Sequence, residues 1–256
     1  NDALANLAGL ENLTTAANLG ITGNEVLVQI DALTNLQSYL NTLFITLNPS
    51  LLNINGLAGL LGVSSTIGIS NNAALLHLDG LSNLTNGNNP GSYLVLKIEY
   101  NDALNDISGL TYLNPNSVYQ LRIADNPQLT NCSILSVCNI LEETSANAFI
   151  GVNGGHCNSN QDVIEYCEAS LNVVSGTISY DFNNNLCDAN DYAAENFIIK
   201  ATNSLGHTVS TTSTVNGTYE MRLPEGQFDI EINDAAIPDH FMVTPTEQSV
   251  TFSSTG

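Results

Sequence analysis

The chain has 256 residues and is 43% apolar, enough to build a core and too much for global disorder. Its 25 acidic residues against 4 Lys plus Arg give a net charge of −21, which excludes nucleic acid and anionic membrane surfaces as partners, since both are held by cations. No segment approaches the roughly 20 consecutive apolar residues of a bilayer-spanning helix, so membrane insertion is not expected. The abrupt start at Asn1, with no secretory leader, leads us to expect a mature or excised piece.

From the amino end, the chain is organised by a repeat. The segments "LGITGNEVLVQIDAL", "LFITLNPSLLNINGL", "IGISNNAALLHLDGL", "LKIEYNDALNDISGL" and "LRIADNPQLTNCSIL" superimpose without a gap on Asn24, Asn48, Asn72, Asn101 and Asn126, spaced 24, 24, 29 and 25 apart. A truncated copy begins at Asn1 and a degenerate one closes the array at Asn153. An isoleucine stands three residues before each full anchor and before Asn153: Ile21, Ile45, Ile69, Ile98, Ile123 and Ile150. A Leu or Ile stands five before all but the last, and this period of two predicts a short strand with one buried face. Leucines recur three after the anchor, from Leu4 to Leu129, and nine after it, from Leu10 to Leu135, and are expected to point inward as the chain returns. The anchor asparagine, polar among apolar neighbours, is expected to bond to the backbone of adjacent repeats, so that the stacked asparagines form a ladder. The longer spacing contains "NGNNPGS", Asn86 to Ser92, a surface-loop composition.

This pattern resembles the leucine-rich repeat, whose L-x-x-L-x-L-x-x-N core is matched from its second leucine onward over about residues 1–168. The first leucine survives only loosely, as Leu40, Tyr93 and Val118. The resemblance implies a curved solenoid with a parallel β-sheet on its concave face, the usual partner site in that family. Cys132, at an inward position, and Cys157 lie at nearly the same level one repeat apart, which favours pairing Cys132 with Cys157 and, by the same register, Cys138 with Cys167; sequential pairing stays open. "NCSILSVCNIL…GGHCNSNQDVIEYC" resembles the disulfide-closed carboxy-terminal cap of secreted leucine-rich proteins of Bacteroidetes, with "NSNQDVIEYC" as a short helix. Disulfides point to an extracellular compartment.

After Cys167 the leucine period gives way to alternating segments, "VSGTISYD", "NFIIKAT", "GTYEMRLP", "GQFDIEI" and "SVTFSS", punctuated by turns at Asn216-Gly217 and Pro224-Glu225-Gly226. Residues 172–256 are expected to form a small antiparallel Greek-key β-sandwich. "GTISYDFNNNLCDANDYAAENFIIKA" and "NGTYEMRLPEGQFDI" resemble the opening strands and G-x-Y…L-x-x-G-x-F hairpin of Cna-B and Sdr B-type prealbumin-like modules of bacterial adhesins. In the acidic loop Asp181, Asn183, Asn185, Asp188 and Asp191 fall at relative positions 1, 3, 5, 8 and 11, with Cys187 at 7 offering its carbonyl. Oxygen ligands so spaced suit a hard cation, and a structural Ca²⁺ is expected, although Gly at 6 and Glu at 12 of an EF-hand are absent. A plain polar turn is the competing reading.

Solvent-facing strand positions four before the anchors are Gly20, Phe44, Gly68, Lys97, Arg122 and Phe149; two before stand Thr22, Thr46, Ser70, Glu99, Ala124 and Gly151. Phe44, Lys97, Glu99, Tyr100, Tyr119, Arg122 and Phe149 are expected to give a charged and aromatic surface that engages a protein or polysaccharide ligand at a cell or matrix surface. A cross-strand Arg122–Glu99 ion pair of little consequence is the plainer alternative. No nucleophile elbow, phosphate loop or convincing carboxylate pair is present, so no enzymatic activity is expected. The combined resemblances imply a monomeric, secreted or cell-surface adhesion protein of the kind exported by type IX secretion in Flavobacteria, with the second domain as a calcium-stabilised stalk. Both domains as accessory modules of a larger secreted enzyme is the alternative. The calcium expectation has a direct check in calorimetric melting with and without chelator: removal of the ion lowers one transition, and an unchanged trace removes the claim.

Overall fold

The computed structural model of the chain describes residues 1–86, 93–143, 146–182, 191–233, 237, 243–245 and 247–253. They divide into two compact units, Asn1–Ala169 and Ser170–Gly256.

In the first unit each isoleucine-bearing segment is a strand: β1 (Asn18–Thr22), β2 (Tyr39–Thr46), β3 (Gly62–Ser70), β4 (Leu94–Glu99), β5 (Val118–Ala124) and β6 (Asn147–Gly151). They pair in parallel and in chain order, so every strand touches its sequence neighbours. The register places Ile21, Ile45, Ile69, Ile98, Ile123 and Ile150 in one row across the sheet. Their side chains are buried, as are the leucines three and nine after each anchor from Leu27 onward. Two further inward positions complete the core, six after the anchor (Ile30, Ile54, Leu78, Ile107) and twelve after it (Leu36, Leu60, Leu84, Leu113). Leu10 departs from the expected inward placement and is 43% exposed, because the copy at Asn1 contributes no strand that would cover it.

The anchors explain how the chain leaves each strand. Gly23, Leu47, Asn71, Tyr100, Asp125 and Val152, each immediately before an anchor, all adopt left-handed backbone with φ between 56° and 68°. Five of these six are not glycine, and for Leu47, Tyr100 and Val152, which lack the tolerance of Asn71 and Asp125, the conformation costs roughly 1–2 kcal/mol each. The compensation is local and repeated. The amide of each left-handed residue from Gly23 to Asp125 donates to the carbonyl ending the next strand, and the asparagine after it enters the ladder. Asn48 is typical: its backbone N–H and its Nδ2 both donate to Asn72 Oδ1 at 3.2 Å, while Nδ2 also reaches back to the Ile21 carbonyl at 2.9 Å. The same pattern runs from Asn72 to Asn101, Asn101 to Asn126 and Asn126 to Asn153. Asn48, Asn72, Asn101 and Asn126 are fully buried, so each polar atom depends on these partners.

The return path is pinned by 3-10 turns at Asp31–Leu33, Asn55–Leu57, Asp79–Leu81 and Ser108–Leu110. At the centre of the third, a Cβ on Gly80 would lie 1.9 Å from the Ile54 carbonyl oxygen, and Gly56 and Gly109 are equally tight against the preceding repeat. Only a residue without Cβ permits that approach.

After Asn126 the pattern changes. Helix α1 (Leu135–Glu143), which the leucine period did not reveal, takes over the return path and buries Leu135, Val137, Cys138 and Ile140. Helix α2 (Asn160–Ser170) follows β6, with Ser159 Oγ accepting the Asp162 amide at its start. Disulfides Cys132–Cys157 and Cys138–Cys167, with Cα–Cα distances of 5.1 and 5.8 Å, tie these pieces together. Asn160 treats the outer edge of β6 as a neighbouring strand would, accepting the Ile150 amide at 2.7 Å and donating to the Ala148 carbonyl at 3.0 Å. An edge that would template further pairing is thereby occupied by side-chain groups.

The second unit contains β7 (Asn172–Thr177), β8 (Ser179–Tyr180), β9 (Tyr192–Ala193), β10 (Ile198–Asn203), β11 (Thr208–Thr212), β12 (Thr218–Leu223), β13 (Gly226–Ile232) and β14 (Gln248–Phe252). An antiparallel sheet runs β11-β10-β13-β14, and β12 pairs with β7. Ile199, Ala201, Phe228 and Ile230 from the sheet share one apolar cluster with Met221 and Leu223 of β12.

The ladder makes a sharp prediction. Asn72→Ala takes the acceptor from the buried Asn48 backbone N–H and the Nδ2 donor from the Ile45 carbonyl, while Asn48 Nδ2 keeps the Ile21 and Thr46 carbonyls. At about 1–3 kcal/mol for each stranded group, denaturant unfolding should show a loss of about 4 kcal/mol; a loss below about 1 kcal/mol would mean that the ladder does not hold the unit together.

Candidate functional site

The strand register decides which sequence candidates meet. Gly20, Phe44, Gly68, Lys97, Arg122 and Phe149 occupy one row across the solvent-facing side of the sheet, one residue per strand. Thr22, Thr46, Ser70, Glu99, Ala124 and Gly151 form the adjacent row in the direction of the strand ends. Lys97 and Arg122 are therefore direct cross-strand neighbours.

Like charges so placed repel, and the structure relieves this from two sides. Arg122 Nε donates to Glu99 Oε1 of the adjacent strand, so the ion pair does form. The guanidinium also lies over the Phe149 ring, 4.4 Å from its centroid. The two contacts together contribute no more than about 1–2 kcal/mol at such a partly exposed site. Their larger effect is orientation, holding a planar cation against the sheet. Among the described residues no carboxylate forms an ion pair with Lys97.

The tyrosines divide. Tyr100 sits in the left-handed position ending β4, and Tyr119 lies near the start of β5, so they flank opposite ends of the strands and are not one cluster. Tyr119 occupies a β-bulge, skipped where Leu94 pairs with Val118 and Val95 with Gln120. Its ring meets Tyr93 edge to face at 5.9 Å. A second bulge between Leu40 and Thr42 turns Tyr39 outward at the start of β2. Tyr39, Tyr93 and Tyr119 are thus exposed aromatics at the strand starts. Tyr93, read from the sequence as a loose counterpart of the first inward leucine, is 69% exposed, and Leu94 takes the buried place at the start of β4 instead; Tyr39 was absent from the sequence-derived surface because the bulge in β2 shifts it off the regular alternation. Beside Tyr39 lies a cleft of about 300 Å³ lined by Ala17, Leu40, Asn41, Gly62, Val63, Ser64 and Asn86.

Of the expected cation ligands, Asn183, Asn185, Cys187 and Asp188 lie outside the described residues. Asp181 and Asp191 are described. They follow and precede the two-residue ladder in which Tyr180 faces Tyr192, so the two carboxylate-bearing residues leave and enter that ladder opposite one another. Among the described residues no group of three or more His, Cys, Asp and Glu side chains is assembled for a metal. No protein-family model, curated protein or solved structure matches the chain.

Proposed function

We propose that the first unit is a leucine-rich repeat solenoid, that the second is a small antiparallel β-sandwich of the adhesin-module type, and that together they form a secreted or cell-surface recognition protein without catalytic activity. The strand face of the first unit takes a protein or polysaccharide ligand, and the second unit serves as stalk.

The observation that carries this reading is the row Lys97, Arg122, Phe149 on adjacent strands. In a chain with only four cations, two stand side by side on one open sheet face, one of them held in place by Glu99 and stacked on an aromatic ring. Cationic and aromatic side chains fixed in this way are what binding hot spots are made of. Sequential parallel strands with a buried asparagine per repeat support the solenoid, since a single repeat could not bury its own leucines. The apolar cluster shared by the β11-β10-β13-β14 sheet and the β12-β7 pair supports the sandwich. Two disulfides fit an oxidising, extracellular compartment, and no helix among the described residues is long and apolar enough to cross a membrane. The facing Asp181 and Asp191 positions support a structural Ca²⁺ in the stalk.

Immobilised extracellular proteins and acidic polysaccharides provide the test. A ligand is expected whose affinity falls roughly tenfold or more in Lys97→Ala/Arg122→Ala, with the wild-type interaction weakening as salt is raised. If nothing in the panel binds, or if the double variant binds as tightly as the wild type, the assignment of this patch is wrong.

A further inference from the structure

The solvent-facing side of the sheet is chemically divided between β1–β3 and β4–β6. No residue of β1, β2 or β3 carries a charge, in a chain whose net charge is −21. The acidic residues from the amino end through the return after β3, Asp2, Glu11, Glu25, Asp31 and Asp79, all fall outside the strands. What faces solvent from the three strands is hydroxyl and amide: Asn18, Asn41, Thr42, Ser64 and Thr66, joined by two aromatic rings.

Those rings are positioned by glycines on the next strand. A Cβ on Gly62 would lie 2.8 Å from the Tyr39 ring, and a Cβ on Gly68 would lie 2.8 Å from the Phe44 ring. Each ring therefore leans across β3 into space that any other residue would fill. Tyr39 remains 67% exposed and Phe44 40% exposed, so both keep area for a ligand. They stand roughly 15 Å apart along β2 by the rise of a strand. Between them the polar side chains are already organised: Thr42 Oγ1 donates to Asn18 Oδ1 at 2.8 Å, and Ser64 Oγ bonds Asn41 Oδ1 at 3.4 Å. The cleft beside Tyr39 reaches from Ala17 across β2 and β3 to Asn86, and its volume is at the lower end of small-molecule sites.

We infer that this surface, from the Tyr39 cleft to Phe44, is a subsite for a neutral oligosaccharide chain. The match is chemical. A pyranose offers a C–H face that packs on an aromatic ring and a rim of hydroxyls that both donate and accept, which is what amide and hydroxyl side chains complement. Excluding charge from this area removes the desolvation cost that a carboxylate or ammonium would impose on a neutral ligand. A preorganised polar network also lowers the ordering cost of binding. The inference shares with the proposal above only the premise that the strand face is the recognition surface. It adds a second ligand class and a second location.

The test uses the full chain against immobilised neutral gluco-, manno-, xylo- and galacto-oligosaccharides at low and high salt. At least one series should bind, with affinity changed less than about twofold by salt, because no charges face the ligand. Tyr39→Ala should weaken it roughly tenfold or more, Phe44→Ala should weaken it measurably, and Tyr39→Phe should restore most of the loss. Both positions are exposed, so melting temperatures should stay near wild type and show that the variants fold. Lys97→Ala/Arg122→Ala should leave neutral-glycan binding intact. Failure of every neutral series, or binding indifferent to Tyr39→Ala, overturns the subsite. Neutral-glycan binding lost only in Lys97→Ala/Arg122→Ala also overturns it while supporting the charged patch. Absence of any ligand, charged or neutral, removes both readings.

Discussion

One buried asparagine per repeat carries more of this structure than any leucine does. Its Oδ1 collects two donors from the asparagine before it, and its Nδ2 donates both to the asparagine after it and to a strand carbonyl of the repeat before. That leaves no buried hydrogen-bonding capacity idle, and it fixes the distance between repeats with hydrogen bonds at 2.8–3.3 Å. Apolar packing alone is tolerant of small slips; a directional network without exposed members is not. The strained left-handed residue before each anchor follows from the same constraint, because the chain must turn sharply there to aim the amide inward. A β-branched residue, Val152, is held at φ 58° where a glycine would be at ease. The anchors, not local preference, set that geometry.

A register fixed this firmly has a consequence on the opposite side of the strands. When every isoleucine is locked in one row, every residue beside it is locked in another, and substitutions there are free to vary without cost to the core. The two halves of the sheet face show that freedom being used in different ways. β4, β5 and β6 carry Lys97, Glu99, Arg122 and Phe149, while β1, β2 and β3 carry only uncharged side chains. The ion pair between Arg122 and Glu99 contributes little to folding at its exposure, so its value lies in holding the guanidinium over Phe149. Neither surface is demanded by the fold beneath it.

The anchors and the isoleucine row were legible in the sequence because each is periodic, whereas the disulfide pairing was favoured there but left open beside sequential pairing. Cys132 and Cys157 stand close to equivalent levels of neighbouring repeats, and the register alone brought their sulfurs together. The tight glycines at 56, 80 and 109 were visible as letters but not as a constraint, since the carbonyl that each must clear belongs to the previous repeat. Helix α1 was hidden because Leu135 and Cys138 satisfy the repeat spacing and a helical face alike. The candidate site was half legible. Row membership of Phe44, Lys97, Arg122 and Phe149 followed from the period of two, whereas the bulge at Leu40/Thr42 displaced Tyr39 from positions that a period can locate, and Tyr119, named from the sequence, sits apart from Tyr100 at the other end of the strands. Residues 181–191 follow no period, and the cation expected there rested on their spacing alone, most of them lying outside the described residues.

The asparagine ladder is a cooperative, water-excluded part of the first unit. Native-state hydrogen exchange of side-chain amides, followed by NMR at the Nδ2 protons of Asn48, Asn72, Asn101 and Asn126, tests it most directly. These protons should exchange only through unfolding of the whole unit, as slowly as the backbone amides of β3 and β4, and far more slowly than those of exposed asparagines such as Asn105. Exchange of the anchor amides at the rate of exposed side chains, while the strand amides stay protected, would contradict the account.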